Sequence, residues 1–237
     1  MSRVVSLVPS VTETLLAWGV TPAACTRFCE QPDLPHVGGT KDPDVAAIVD
    51  LAPDLVVMCV EENRREDADA LAAAGVATAS LSIDGVADVA PALRMLAALV
   101  GAEVDVPDLA VPPPGPPVAR AFVPIWKRPW MSLAGGTYGS SLLAALGVAN
   151  VFADADAGPG GGDRYPTVTL DEARARRPDV VLAPSEPYPF AERHVPVLAE
   201  VAPVVLVDGQ DLFWWGVRTP AALDRLRTRL RDAGVLP

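Results

Sequence analysis

The feature that most constrains the fold of this chain is a pattern that occurs twice. The stretch LLAWGV at 15–20 is echoed by LAALGV at 143–148, and PDLVV at 53–57 is echoed by PDVVL at 178–182. A third apolar segment recurs in the same order, and the three pairs have nearly the same separation. Self-similarity at one spacing indicates a structural repeat. The sequence therefore predicts two similar lobes.

Within each half, short apolar segments rich in β-branched residues alternate with helical patterns. The first half opens with a predicted strand at 3–8, and Ser10 followed by Glu13 has the spacing of a capping box that would start a helix. Strands alternating with helices are typical of a parallel sheet flanked by helices. We therefore predict an α/β fold of two lobes of this kind, with a ligand cleft between them.

A proline-rich stretch sets the predicted domain boundaries. VPPPGPPV at 111–118 suits neither a helix nor a central strand. We assign residues 1–101 to an N-terminal α/β lobe that includes a connecting helix, 102–117 to a Pro-rich linker, and 118–237 to a C-terminal α/β lobe. The segment GPGGGD at 158–163 lacks the strand and helix that flank a phosphate loop, and we interpret it as a mobile hinge or lid.

Composition and charge narrow the class of protein. The chain has 237 residues, 50% of them hydrophobic, which is enough for one large core or two small ones. Its formal net charge of -11 argues against nucleic acid and anionic membranes as partners. No apolar run reaches the roughly 18 residues of a membrane span.

The expected compartment follows from the start of the sequence. No secretory leader precedes the first strand, so we predict a cytoplasmic location, or a periplasmic or extracytoplasmic one if a leader was removed. The three cysteines, Cys25, Cys29 and Cys59, are odd in number and lack zinc-ribbon spacing, so we expect reduced thiols and no metal site.

Candidate ligand-binding residues lie on loops that follow predicted strands. In the first lobe they are Pro9, Ser10, Arg27, Phe28, Thr40, Lys41, Glu61, Glu62 and Asn63. In the second lobe they are Trp126, Trp130, Tyr138, Arg164, Tyr165, Glu186, Tyr188, Phe213, Trp214, Trp215 and Arg218. Aromatic rings beside Lys and Arg on loops can stack against a flat or bulky ligand. Because neighbouring residues on extended chain face opposite ways, we expect one of Trp214 and Trp215 to be structural.

Signatures of catalysis are weak. The sequence has no G-x-S-x-G, no P-loop and no H-E-x-x-H, and both histidines, His36 in a loop and His194 on a predicted helix, are expected to face solvent. We therefore predict no catalytic residues, no metal ligands and no cofactor. The alternative is a cytosolic enzyme or a ligand sensor on the same scaffold, because charged residues such as Glu61, Glu62 and Glu186 are frequent among the candidates.

Several stretches resemble one known family, in the order that the family has them. They are RVVSLVPSVTETLLAWGV, VGGTKDPDVAAIVDLAPDLVV, PWMSLAGGTYGSSLLAALGVANVF, YPTVTLDEARARRPDVVL and VVLVDGQDLFWWGVRTPAAL. They resemble the helical-backbone (class III) periplasmic substrate-binding proteins of ABC importers, which bind vitamin B12, haem or ferric siderophores. The cobalamin-binding members are the most similar.

This resemblance implies a fold, a ligand class and a partner. The fold would be two α/β lobes joined by a rigid helix, and the ligand would be a bulky corrinoid, haem or iron chelate, bound without catalysis. The family's ligand loops fall on Pro9–Ser10, Phe28, Thr40–Lys41, Trp126 and 213–215, although a cobalamin binder has a tryptophan in place of Thr40. The implied partner is an ABC permease, which docks on acidic residues; Glu172 keeps one such acid, and Ala46 and Ala47 stand near the position of the other.

Overall fold

The computed structural model describes residues 3–109, 115–155 and 163–237. The chain forms two compact units. Unit 1 comprises residues 1–83, 87–109 and 215–217, and unit 2 comprises residues 84–86, 110–214 and 218–237. The chain therefore contains two α/β units, and the prediction of two lobes with parallel sheets is confirmed.

Unit 1 is built on a parallel sheet of four strands. Its elements in chain order are β1 (Val4–Ser6), α1 (Pro9–Ala17), β2 (Ala24–Cys25), α2 (Val45–Asp50), β3 (Leu55–Cys59), α3 (Arg65–Ala73), β4 (Thr78–Leu81) and α4 (Val86–Val100). The strand order is β2-β1-β3-β4, with Val5 of β1 opposite both Ala24 and Val56. The central strands β1 and β3 are fully buried, as expected of strands covered by helices on both faces.

The first helix begins two residues earlier than the sequence predicts. Val8 is the N-cap residue, Pro9 opens the helix, and no side chain caps it. The predicted capping box of Ser10 and Glu13 is therefore wrong. Proline suits the first helical position because its φ is preset and its missing N–H has no intrahelical partner there. Ser10 consequently lies in the first turn, fully buried.

Unit 2 repeats the sheet of unit 1 with the same topology. Its elements are β5 (Ala119–Phe122), β6 (Pro124–Trp126), β7 (Trp130–Ser132), α5 (Tyr138–Ala145), β8 (Val148–Asn150), β9 (Thr167–Val168), α6 (Leu170–Ala175), β10 (Val180–Pro184), a 3-10 turn (Glu192–His194), α7 (Val195–Leu198), β11 (Val204–Val207), α8 (Gly209–Phe213) and α9 (Thr219–Asp232). The parallel order is β11-β10-β5-β8. In both units the first strand of the sheet therefore lies between the second and the third.

Unit 2 also has a small antiparallel sheet, with strand order β6-β7-β9. The β6–β7 hairpin pairs Pro124 with Ser132, and it places Trp126 and Trp130 at either side of its turn. This sheet has no counterpart among the described strands of unit 1. It is the main addition to the shared plan.

Each unit has its own hydrophobic core. In unit 1 the core gathers around Leu7, Ile48 and Met58, and in unit 2 it gathers around Phe122, Phe152 and Phe190. Phe122 meets Phe152 edge to face, with ring centroids 5.9 Å apart. Aromatic pairs in this arrangement add about 0.5–1.5 kcal/mol beyond the burial of their area.

Two predicted segments fall partly outside the described residues. Residues 110–114 of the predicted Pro-rich linker at 102–117 lie outside them, and residues 102–109 form neither helix nor strand. Residues 158–162 of the predicted hinge or lid loop also lie outside. The boundaries at 101 and 117 stay a prediction. In the part of the chain that the structure describes, no helix combines the length and the hydropathy of a membrane span.

Candidate functional site

In unit 1 the candidate residues Arg27 and Phe28 lie on the loop after β2. Both are exposed, and Phe28 is 51% exposed. The Arg27 guanidinium lies 4.8 Å from the centre of the Phe28 ring and pairs with Asp42 at 2.9 Å. Gly39 leaves room for this pair, because a Cβ there would meet both the Asp42 carboxylate and the Arg27 guanidinium. The loop thus exposes a cation and an aromatic ring that are in contact with each other.

Asn63 ties together three loops at the carboxyl ends of the unit 1 strands. Its side-chain amide donates to the carbonyls of Leu7 at 3.2 Å and Thr40 at 2.9 Å. Its side-chain carbonyl accepts from the Cys59 N–H at 2.7 Å. The residue is buried, so these bonds hold the Thr40–Lys41 turn in place. Asn63 was predicted to bind ligand, and here it positions residues predicted to do so.

The other candidates of unit 1 divide by burial. Pro9 and Ser10 are buried, and the Ser10 hydroxyl oxygen has no hydrogen-bond partner among the described residues. Lys41 is exposed, and its ammonium donates to the Glu61 carbonyl at 2.8 Å. Glu61 and Glu62 are half-buried. Together with Arg27 and Asp42, these residues give this edge one ring, two cations and three carboxylates.

In unit 2 the candidates Trp126, Trp130 and Tyr188 belong to one aromatic cluster. Trp126, 44% exposed, meets Tyr188 edge to face with centroids 5.6 Å apart. Trp130 stacks parallel to Phe190 at 6.1 Å, and the Lys127 ammonium lies 5.6 Å from the centre of the Trp130 ring. Packing from behind fixes the exposed Trp126 ring, which leaves it available for stacking without a large loss of side-chain entropy.

His194 completes this aromatic cluster and corrects a prediction. It was expected to face solvent, but it is only 4% exposed and packs edge-on against Tyr188 and Phe190. Its Nδ1 accepts from the Ala191 N–H at 3.1 Å. Burial lowers the pKa of His194, and the charges of Arg193 and Lys127 lower it further. The histidine is therefore neutral at neutral pH, as its apolar surroundings require. His36, by contrast, is exposed as predicted.

Trp214 is held by a chain of charged groups. Its indole N–H donates to the Glu186 carboxylate at 2.6 Å, and the Arg218 guanidinium lies 5.1 Å from the centre of its ring. Arg218 in turn pairs with the buried Asp211 at 3.4 Å, which Arg225 also contacts at 2.7 Å. These contacts fix the position and the orientation of the Trp214 indole ring.

The remaining candidates of unit 2 and Trp215 differ in exposure. Tyr138 is buried, its hydroxyl lies 3.0 Å from that of Thr219, and burial raises its pKa. Arg164 pairs with Asp84 at 2.8 Å. Tyr165 and Phe213 are half-buried. Trp215 is 3% exposed, so the expectation that one of the two adjacent tryptophans is structural agrees with its position.

The residues missed by sequence reasoning are mainly the partners of the candidates. Asp42, Asp84 and Asp211 each pair with a candidate arginine, and Phe190 and His194 support the candidate aromatics. The aspartates lie 15, 80 and 7 residues from their arginines. No local pattern signals such pairs. Among the described residues, no group of three histidine, cysteine or acidic side chains could hold a metal ion.

The geometry can be compared with known proteins. A family model described as "Periplasmic binding protein" matches residues 4–106. A vitamin B12-binding protein of Salmonella paratyphi A is 25% identical over 195 residues, covering 76% of this chain and 71% of the relative. These sequence matches and the fold confirm the resemblance of this chain to periplasmic substrate-binding proteins.

Solved structures show the same fold over nearly the whole chain. The periplasmic vitamin B12-binding protein of Vibrio cholerae has a TM-score of 0.75 at 18% identity, and 98% of each chain is covered. The apo periplasmic haem-binding protein of Roseiflexus sp. RS-1 has a TM-score of 0.73 at 20% identity, with the same coverage. At these identities the likeness defines the fold alone.

The comparisons overturn the prediction of a cytoplasmic location. The matched family and the solved relatives are periplasmic binding proteins, which points to the periplasm. The prediction relied on the residues before the first strand.

Proposed function

We propose that this protein binds a bulky metal-chelate or tetrapyrrole-like ligand, a corrinoid, haem or ferric siderophore, without catalysis, as the substrate-binding protein of an ABC importer. The observation that carries the proposal is the exposure of large aromatic rings on loops at strand ends. Phe28 and Trp126 are each about half exposed, and Trp214 is half-buried in a fixed orientation. Rings of this size are normally buried, and fixed exposed rings suit stacking on a large flat ligand.

The relatives support this ligand class. The curated relatives are vitamin B12-binding proteins, and the structural relatives include haem-binding proteins. They are binding proteins, which supports the absence of catalysis in this chain. They support the binding interpretation and not the alternative of a cytosolic enzyme or sensor. The ligand would be bound by the candidate residues on the loops that follow the strands of each unit.

The charges beside the exposed rings favour a corrinoid within this class. Three arginines among the candidate residues are already paired with aspartates, as described above for Arg27, Arg164 and Arg218. A ligand carboxylate that displaced one of these aspartates would still meet its negative charge a few ångströms away. Haem carries two carboxylates, whereas the rim of a corrinoid carries mainly neutral amides. Neutral amides can hydrogen-bond to paired side chains without a charge conflict.

The importer partner is supported by one surface acid. Glu172, which matches a docking position of the family, is exposed on α6. Thr169 donates both its backbone N–H and its hydroxyl to this carboxylate, which lowers the pKa of Glu172. The group is therefore ionised at neutral pH and can pair with a basic residue of a permease. The matching position in unit 1, near Ala46 and Ala47, has no acid.

The test is a titration of the purified protein with cyanocobalamin, dicyanocobinamide, haemin and a ferric siderophore, followed by tryptophan fluorescence. We expect quenching by at least one corrinoid at micromolar concentration or below, and weaker binding of haemin. Trp126→Phe and Trp214→Phe should each reduce the quenching amplitude. Trp18→Phe is the matched control, because Trp18 follows α1 outside the candidate loops. Absence of quenching by all four ligands would contradict the proposal.

A further inference from the structure

Two cysteines lie side by side in unit 1. Cys25 ends β2, Cys29 lies in the turn that follows, and both are buried. The Cys29 N–H donates to the Thr26 carbonyl at 3.1 Å, which closes the turn. Burial raises the pKa of Cys25, and an electrostatic interaction with Cys29 raises it further. One hydrogen-bonded turn of the backbone thus separates two buried cysteines that interact in the fold.

Hydroxyl groups surround the second of these sulfurs. Thr12 donates its hydroxyl to the Cys29 sulfur at 3.2 Å, and the Thr26 hydroxyl lies at the same distance. These contacts fix the position of the Cys29 side chain within the loop that follows β2. No third metal ligand is grouped with the pair within residues 3–109, 115–155 and 163–237. The chemistry available to the pair is therefore redox chemistry.

A periplasmic location changes the oxidation state that we expect for these two thiols. Reduced thiols are expected in a cytosol, whereas the periplasm of bacteria is kept oxidising. We propose that Cys25 and Cys29 form an intrachain disulfide as the chain folds, and that this cross-link closes the loop that carries Arg27 and Phe28. The third cysteine, Cys59, lies on β3 near Glu61 and Glu62 and stays a thiol.

The reaction needs a disulfide oxidant, either oxidised glutathione or a thiol oxidase with a reactive disulfide. One cysteine thiolate attacks the oxidant, displacing one of its sulfurs as a thiol and forming a mixed disulfide. The second cysteine then attacks the first and releases the other sulfur of the oxidant as a thiol. Two electrons and two protons pass to the oxidant, and one S–S bond forms in the protein. Burial raises the pKa of Cys25 to about 12 in the folded chain, so the exchange belongs to the folding stage.

The cross-link would shape the loop after β2. It closes a ring of five residues whose exposed members include Arg27 and Phe28, already stacked on each other. Fewer conformations remain for this loop in the unfolded chain, which stabilises the folded state. Formation of the disulfide does not depend on the proposed function, whereas any gain in ligand affinity rests on it.

The test is to refold the full chain from guanidinium in a glutathione redox buffer and to measure its intact mass and its peptide map. We expect the mass to fall by about 2 Da, the two hydrogen atoms lost, with one peptide pair joined through Cys25 and Cys29. The oxidised protein should melt about 5 °C above the same protein refolded in a reducing agent. Cys59→Ala is the matched control and should keep both the mass loss and the melting difference.

Two results would overturn the proposal. One is three free thiols, titrated after denaturation, in protein refolded under oxidising conditions. The other is a cross-link that includes Cys59. The mass measurement needs no ligand, so it is independent of whether any corrinoid or haem binds. Should Cys25→Ala or Cys29→Ala fail to fold, the wild type and the Cys59 variant decide the question without them.

Discussion

The two units share a sheet topology but differ in what their strand-end loops carry. Unit 1 has all three cysteines and, on its candidate loops, one exposed ring, Phe28. Unit 2 adds a small antiparallel sheet and an aromatic cluster around Trp126, together with the fixed Trp214. A repeated scaffold can therefore be specialised through its loops while the strand order stays the same. We therefore expect unit 2 to supply most of the stacking area for a ligand, and unit 1 to supply mainly polar and charged groups.

The largest effect should come from the aromatic core of unit 2. Phe122→Ala removes a fully buried ring that packs edge to face on Phe152, and it should lower the free energy of unfolding by about 3–5 kcal/mol. The measurement is urea denaturation followed by circular dichroism. Phe28→Ala is the control, since an exposed ring should cost less than about 0.5 kcal/mol. Equal costs for the two variants would contradict the assignment of Phe122 to the core.

A pair of asparagines tests whether the units hold their loops in the same way. Asn63 in unit 1 and Asn150 in unit 2 are both buried and bonded through both side-chain groups, and Asn150 donates to the Leu133 carbonyl at 2.8 Å. Replacing either with alanine should cost about 2–3 kcal/mol, because buried backbone groups lose their partners.

Ligand binding separates these two asparagines. Only Asn63→Ala should also weaken corrinoid binding, because only Asn63 contacts the Thr40–Lys41 turn. Denaturation curves give the stability of each variant, and isothermal titration calorimetry gives its affinity. The affinity of Asn150→Ala should be unchanged once its loss of stability is corrected for. A weaker affinity in this variant would contradict the proposal that Asn63 alone positions ligand-binding residues.

The aromatic contrast between the units can be measured through affinity. Trp126→Ala or Trp214→Ala should weaken corrinoid binding about 10-fold, since stacking on one aromatic side chain is worth about 1–3 kcal/mol. Phe28→Ala should weaken it about 3-fold or less, because a smaller ring is lost. The affinities should be measured by isothermal titration calorimetry, because removing a tryptophan also changes the fluorescence signal. If Phe28→Ala weakened binding more than either tryptophan variant, the assignment of ligand stacking to unit 2 would be contradicted.

The smallest predicted effect concerns alkaline pH and unit 1. Burial, with a further contribution from Glu62, raises the pKa of Cys59 from 9.0 to about 12. The folded chain keeps this proton where the unfolded chain loses it, so the contribution to stability is complete below pH 9 and falls as the pH rises towards 12. At pH 10 the loss is about 1.4 kcal/mol. In urea denaturation, the free energy of unfolding of Cys59→Ala should fall less between pH 8 and pH 10 than that of the wild type. An equal fall in the two proteins would contradict the raised pKa of Cys59.

The repeat in the sequence was sufficient to predict the fold class. The Pro-Asp-strand motif at 53–57 and 178–182 marks β3 and β10, which occupy the same position in the two sheets. Local signals were less reliable where two of them predicted different helix starts. Pro9 and Ser10 can each start a helix, and the helix begins at Pro9, whose φ is preset.

The candidate site was less predictable because it depends on contacts between distant residues. His194 follows charged residues in the chain, yet Tyr188 and Phe190 cover it in the fold. The pair of Arg164 and Asp84 joins residues that no local pattern relates. Which loop residues contact a ligand stays a prediction of the sequence.

The central claim is that the protein binds a corrinoid in preference to a carboxylate-bearing tetrapyrrole. The most direct test is to incubate it with equimolar cyanocobalamin and haemin, remove free ligand by gel filtration, and record the absorbance spectrum of the protein. We predict a corrin spectrum at close to one ligand per chain, with little Soret absorbance. A Soret band without the corrin spectrum, or a protein that carries neither, would contradict the claim.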